Sequence, residues 1–284
     1  IEIAVDAADI NNLTGIQSFV NLEFLNANNN NILEINVSEN LMLTDLYLYH
    51  NQILNIDLSN NVNLELIAIG FNQLEEIDIS DNINLKYLDI TSNPINNLNV
   101  SQNSELLWIV LSQTTISNID FSSTPNLTRL DINYTPFEPF DFSLIPNLDR
   151  LHMSGISWPN IDLSNNIHLA RIYFYNTGLN SIDFSNNINL CQIYSGNNFQ
   201  LEYINLKNGN PEILNDNFYP LMQILNTPNL QFICVEDAQY AAANFTDIPP
   251  LATFVEDCSI ANGDLNHITG TVTYDDENNG CDGG

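Results

Sequence analysis

The chain has 284 residues, 44% of them hydrophobic, and sets 35 Asp and Glu against five Lys and Arg, for a net charge of −30 and a pI near 4.1. The apolar supply is ample for a buried core. The charge repels nucleic acid and anionic membrane, which are excluded as default partners. No run approaches the ~18 apolar residues of a membrane span, so membrane insertion is not expected, and no secretory leader is read. Four cysteines leave the redox compartment and all full pairings open on count alone. Acidity of this degree reads first as solubility and second as attraction of cations such as calcium.

Residues 1–21 read as an N-terminal cap. Ile1, Ile3 and Val5 alternate as a short strand does, and Ile10, Leu13, Ile16 and Phe19 recur at the spacing of a helical turn. A strand-like opening at Ile1 is expected of a mature or trimmed chain. From Leu22 the phrase L-x-x-L-x-L-x-x-N-x-I-x-x-I-D-L-S-x-N takes over. Its first place falls at Leu22, Leu43, Leu64, Leu85, Leu106, Leu127, Leu148, Leu169 and Leu190, a constant step of 21 residues. A period of this kind means modules stacked on one continuous core, because a single unit cannot bury its own apolar face.

Spacing, leucine pattern and asparagine column together resemble the leucine-rich repeats, over roughly residues 1–258. The resemblance implies an α/β-type repeat solenoid that is mostly β: a curved horseshoe with a parallel concave sheet, short convex strands and terminal caps. The repeats are assigned to 22–229. Their asparagine place holds Asn30, Asn51, Asn72, Asn93 and Asn198, whose amides can satisfy buried turn backbone. Thr114, Thr135 and Thr177 offer one hydroxyl there and Ile156 none, so an altered turn is expected near Ile156. Across the unit, Asp57, Asp78, Asp120, Asp141, Asp162 and Asp183 share a place in I-D-L-S, expected on a second, shorter strand with solvated aspartates. The serines and asparagines that follow suit side-chain-to-backbone turns. One carboxylate per repeat is too few for calcium, which wants about six to eight oxygens.

After Leu190 the rhythm slips, and one degenerate repeat is expected before Leu230. Residues 230–259 then read as a last strand (Leu230, Ile233, Val235) and a C-terminal cap with a helix over 237–244. Cys234 and Cys258 bracket this cap and are expected to be bonded, which would add about 3 kcal/mol by the chain-entropy model and place the protein outside the cytoplasm. Residues 260–284 read as a linker and either the opening strand of a further module or an acidic tail. That tail resembles the start of immunoglobulin-like or prealbumin-like modules of bacterial surface proteins, and Asp275, Glu277 and Asn279 make half of a calcium-loop pattern.

The candidate site follows from the cations. Arg129, Arg150 and Arg171 are the only arginines, and all occupy the same place in successive repeats. Three residues scattered over the period would coincide roughly 1 time in 400, although copying of a repeat also aligns them. In the resembled fold the places around L-x-L face the concave sheet. The first such column holds Phe24, Asp45, Leu66, Tyr87, Trp108, the three arginines, Gln192 and Phe232. The next runs Asn26, Tyr47, Ala68, Asp89, Val110, Asp131, His152, Tyr173, Tyr194 and Cys234. Lys86 is expected on the same side, as are the rings of Tyr49, Phe71 and Tyr175. Two readings compete: a self-neutralising ladder in which Asp131 and Asp149 offset the arginines, or a preformed surface that grips carboxylate or sulfate and stacks on apolar or sugar faces.

Catalysis is not expected. His152 lies between Asp131 and Ser154, but no nucleophile elbow or oxyanion hole accompanies them. His50, His168 and His267 have no metal-ligand spacing, and Cys191 reads as a tolerated free thiol. The reading is therefore a secreted or cell-surface recognition or adhesion protein, monomeric and without cofactor. It binds protein or polysaccharide through Tyr87, Trp108, Arg129, Asp131, Arg150, His152, Arg171, Tyr173 and Tyr194. Resemblance to internalin-like bacterial adhesins implies a host or neighbouring-cell ligand. The rival is a spacer with no concave ligand, or a crystal-matched surface, which the mixed columns disfavour.

Overall fold

In the computed structural model, which describes residues 1–209 and 222–259, all nine template leucines from Leu22 to Leu190 are completely buried. Each begins a turn that delivers a short strand. The strands are β1 (Glu2–Ala4), β2 (Phe24–Asn26), β3 (Asp45–Tyr47), β4 (Leu66–Ala68), β5 (Tyr87–Asp89), β6 (Trp108–Val110), β7 (Arg129–Asp131) and β8 (Arg150–His152). They continue as β9 (Arg171–Tyr175), β10 (Ser181–Asp183), β11 (Gln192–Gly196), β12 (Tyr203–Asn205), β13 (Met222–Leu225), β14 (Phe232–Cys234) and β15 (Thr253–Val255). Eleven of them, β1 to β9 with β11 and β13, form one parallel sheet in chain order, the concave wall. The second residue of each strand from β2 to β11 points into a single core that runs the length of the solenoid. At the N-terminal end β1 pairs with β2 and a 3₁₀ turn covers Ile16–Ser18, so both elements read from that segment are present.

Two asparagine ladders stitch the repeats together. Asn72 donates to the carbonyls of Leu48, Ile69 and Gly70 at 2.9–3.1 Å and accepts from the Ile53 amide at 2.9 Å. Asn51 and Asn93 do the same in their repeats. Thr114 and Thr135 make one bond each, to a carbonyl three residues back. The turn at Ile156 is altered as expected: the Gly178 amide donates to the Ile156 carbonyl, whereas Gln73 and Thr115 donate to Ile53 and Ile95, two places later in the repeat, and the Phe137 carbonyl accepts from the Trp158 indole. Every concave strand is followed by a residue with left-handed backbone, and there Gly155 (φ 76) takes the place that Gln113 (φ 59) and Tyr134 (φ 54) hold in the preceding repeats.

The second ladder, Asn40, Asn61, Asn82, Asn103, Asn166 and Asn187, lies at the outer corner. Asn61 donates to the Val37 and Asn40 carbonyls, both at 3.0 Å, and the others repeat the pattern. Thr124 and Ile145 interrupt it. In those repeats aromatic packing fills the corner: Phe140 stacks on Phe142 at 4.3 Å, and the Trp158 indole donates to the Phe137 carbonyl at 2.7 Å.

Two expectations need correction. The convex strands are not general. Among the described residues only β10, β12, β14 and β15 form a second parallel sheet, at the C-terminal end. Each aspartate or asparagine of this place closes a local turn whether or not its segment is paired: Asp57 accepts from the Ser59 amide at 3.0 Å, and Asp183 on β10 from the Ser185 amide at 2.8 Å. Second, Phe232 and Cys234 do not continue the concave columns. They lie on β14 in the convex sheet, while β13 pairs with β11 and sets Met222 opposite Ile193, 29 residues on. Leu230 therefore corresponds to Leu201, and the last repeat is longer, not degenerate and short. The segment 210–221 and the tail 260–284, with its half calcium loop, lie outside the described residues.

Beyond β14, Asp237 caps helix α1 (Ala238–Asn244) by accepting from the Tyr240 amide. Cys234 and Cys258 are joined, with Cα atoms 5.5 Å apart. Among the described residues no helix is long and apolar enough to cross a membrane.

Candidate functional site

Alternation along a strand sends residues i and i+2 to the same face. On β5 to β9 and β11 it raises two columns on the concave wall. Pairing register sets Tyr87, Trp108, Arg129, Arg150, Arg171 and Gln192 side by side. Asp89, Val110, Asp131, His152, Tyr173 and Tyr194 follow two residues on. All nine residues predicted for the site share this one surface.

Their contacts form a continuous run. Tyr87 meets Trp108 edge-on at 4.6 Å, and the Arg129 guanidinium lies 3.8 Å over the indole. Nε and Nη2 of Arg129 donate to both oxygens of Asp131, at 3.1 and 2.8 Å, a bidentate pair. Asp131 also stands 3.5 Å from His152 Nδ1. His152 packs on Tyr173 at 4.1 Å, and Tyr173 stacks on Tyr194 at 4.9 Å with ring planes 17° apart. Burial, helped by Arg129 and Arg150 and opposed by Asp131, lowers the His152 pKa from 6.5 to about 4, so the imidazole is neutral at pH 7. Beneath Tyr87, whose hydroxyl donates to Asp89 at 3.3 Å, burial raises the Asp89 pKa above the ordinary carboxylate value.

Arg150 and Arg171 are different. Among the described residues no carboxylate pairs with either, and the Nε of each is buried without a hydrogen-bond partner. The self-neutralising ladder therefore stops at Arg129. Asp149, expected to help, forms no ion pair. Lys86 lies at the entry to β5 and is tied to Glu65 at 2.7 Å. Adjacent strands are about 4.8 Å apart, where two like charges repel by about 3–4 kcal/mol at the dielectric of a protein surface. Arg150 faces a neighbouring arginine on both sides, so this corner holds excess positive potential inside a strongly acidic molecule.

No family model and no curated protein matches the chain by sequence. Solved structures do match. An internalin, InlF of Listeria monocytogenes, aligns over 90% of this chain and 87% of its own at a TM-score of 0.56 and 18% identity. A leucine-rich-repeat protein of Leptospira interrogans aligns over 83% and 69%, at 0.55 and 15%. FLRT2, solved in an octameric complex with latrophilin 3 and Unc5D, aligns over 67% and 62%, at 0.53 and 20%. The fold is the leucine-rich-repeat solenoid.

Within this leucine-rich-repeat frame a third concave column extends the site. Beyond His152 and Tyr173 the strands open onto a shallow hollow of about 340 Å³, walled by Tyr134, Tyr173 and Tyr175. Its polar lining is Ser112, Gln113, Asn133 and Ser154. Asn133 donates to the Ser112 hydroxyl and accepts from the Ser154 amide, which fixes the amide's orientation. Tyr134 was missed by the sequence reading. No signal marked it: the left-handed place also holds His50, Phe71 and Gln113 in other repeats, so a ring there is not singular, and its part in the hollow arises from contacts between repeats. The imagined Ser/His/Asp grouping does not assemble, because Ser154 Oγ accepts from the Tyr175 amide at 3.2 Å and His152 Nε2 has no partner. Phe71 lies not in the sheet but at its rim, stacked on His50 at 4.3 Å. No three His, Cys, Asp or Glu among the described residues come together as a metal site.

Proposed function

We propose that this protein is a secreted or cell-surface recognition module that binds a protein or polysaccharide ligand on its concave wall, through anionic groups held by Arg150 and Arg171. One observation carries the reading. In a chain with 35 acidic residues, two of its five cations stand side by side on the concave face with no carboxylate partner among the described residues. Solubility does not call for such an arrangement, and an incoming anion would relieve it. The Trp108, Tyr173 and Tyr194 rings flank the cations and add stacking area at little cost in conformational freedom. The disulfide supports an oxidising compartment. FLRT2, of the same fold, is found in a complex with other proteins, which supports a binding role for such a solenoid. The chain is read as monomeric and as working without chemistry of its own.

The test is a screen of glycan and cell-surface protein arrays with wild-type protein and the Arg150→Ala/Arg171→Ala double variant. Specific capture by the wild type should fall by about tenfold or more in the variant, the worth of one charge-assisted contact. Its melting temperature should stay within a few degrees. Capture that is equal for both proteins retires the concave site, and no capture at all favours a spacer.

A further inference from the structure

Building on the recognition reading above, we propose that the ligand is a sparsely charged acidic oligosaccharide. It lies along β8 and β9 with a carboxylate or sulfate on Arg150 and Arg171 and a sugar ring in the hollow walled by Tyr134 and Tyr175. The argument begins with polarity along the strands. β9 presents Arg171, Tyr173 and Tyr175 at alternate places, and beside it β8 and the residues after it present Arg150, His152 and Ser154. From first to third place is four residues, ~13 Å of strand. One end is cationic, the middle is ring faces, and the far end is hydroxyl and amide.

The hollow itself separates sugar from protein. A protein partner's anchor residue seeks an apolar pocket. No aliphatic side chain lines this one: its walls are tyrosine rings and His152, and its polar groups belong to Ser112, Gln113, Asn133 and Ser154. Such a lining suits a sugar ring, which offers C–H faces to aromatics and hydroxyls to amides and hydroxyls.

Tyr134 adds an independent observation. It is held at φ 54, a left-handed conformation that costs a bulky residue about 1–2 kcal/mol. In the next repeat Gly155 leaves room for its ring, since a Cβ there would overlap Tyr134. Residues of two successive repeats thus combine to present one ring, 55% exposed, at the lip of the hollow. The count of cations limits the ligand's charge. Two unpaired guanidiniums in a molecule of net charge −30 accept one or two anionic groups and repel a dense polyanion.

Calorimetric titration with a tetrasaccharide carrying one galacturonate, with its counterpart carrying one sulfate, with the methyl ester of the galacturonate tetrasaccharide and with a hexapeptide carrying one glutamate tests the proposal on the full chain. One of the two acidic oligosaccharides should bind, and which one does decides between carboxylate and sulfate. The ester, and the Arg150→Ala/Arg171→Ala variant, should each bind about tenfold or more weakly. Tyr134→Gly removes the ring while relaxing the backbone. It should fold at least as stably and lose about threefold to tenfold in affinity, whereas Tyr134→Phe keeps it. The peptide of equal charge binding as tightly as the sugar, or Tyr134→Gly binding like wild type, overturns the proposal. Failure of both acidic sugars, alongside arginine-dependent capture of a protein on the arrays, sinks the sugar and leaves the concave recognition site standing. Failure of both experiments removes the two together.

Discussion

His152 packs among groups that pull its proton in opposite directions. Asp131 favours the charged ring, while burial on Tyr173 and the neighbouring Arg129 and Arg150 disfavour it, and the balance leaves a pKa of about 4 against 6.5 in an unfolded chain. The sign follows. Between those values the unfolded chain takes up the proton first, so this residue's contribution is intact at neutral pH and is lost as pH falls from 6.5 toward 4. NMR titration of the His152 ring should give a midpoint near 4. The His152→Gln variant should lose stability less steeply than wild type over that window. A midpoint near 6.5 would show that the ring is solvated and that the packing against Tyr173 is absent. At this scale the sequence was only partly informative. The shared place of the three arginines followed from the 21-residue step, but their partners did not. Asp131, two residues along the same strand, reaches Arg129 from the same face, whereas Asp149 alternates to another side and reaches none.

The repeat element is held by asparagine more than by its strands, which are three residues long in most units. Asn72 replaces four contacts that water would otherwise have to supply in a buried turn. Asn72→Ala should cost about 1–3 kcal/mol, because the buried Ile53 amide loses its partner, while the Leu48, Ile69 and Gly70 carbonyls keep Asn51, Asn93 and the His50 amide. Asn72→Thr should cost less, since Thr114 and Thr135 show that one hydroxyl can serve. Equal denaturation midpoints for the alanine and threonine variants would mean that the ladder is ornamental. This column was readable from the sequence because it recurs in register. The convex strands were not, because I-D-L and L-x-L share one alternation, and alternation alone does not reveal which wall a segment joins. That ambiguity put Phe232 in the wrong column. The aromatic corner of Phe140, Phe142 and Trp158 was also unread, since it replaces the second ladder through contacts between repeats, not through any motif within one.

At the scale of the molecule, a solenoid exposes its core wherever it stops, and stability is a sum of units and their interfaces. The period made the horseshoe legible over nearly the whole array. The C-terminal end was legible in parts: the helix after Asp237 and the cysteine pair were both read, but not that they close a second sheet. β14 carries Cys234 next to β15, and Cys258 follows β15, so the bond locks the last two strands of the convex sheet under α1. Phe245, packed on Phe254 at 5.9 Å, joins the helix to that seam. Reduction should therefore act locally. Loop closure is worth about 3 kcal/mol, and in a one-dimensional array that loss frays the nearest end before it unfolds the rest. Peptide mapping should find Cys234 and Cys258 unreactive to alkylation until reductant is added. Hydrogen exchange after reduction should then quicken in β12, β14, β15 and α1 while β2 to β6 keep their protection. Uniform quickening along the chain would mean that the solenoid unfolds as one cooperative unit, and no change anywhere would mean that the cap stands without its covalent tie.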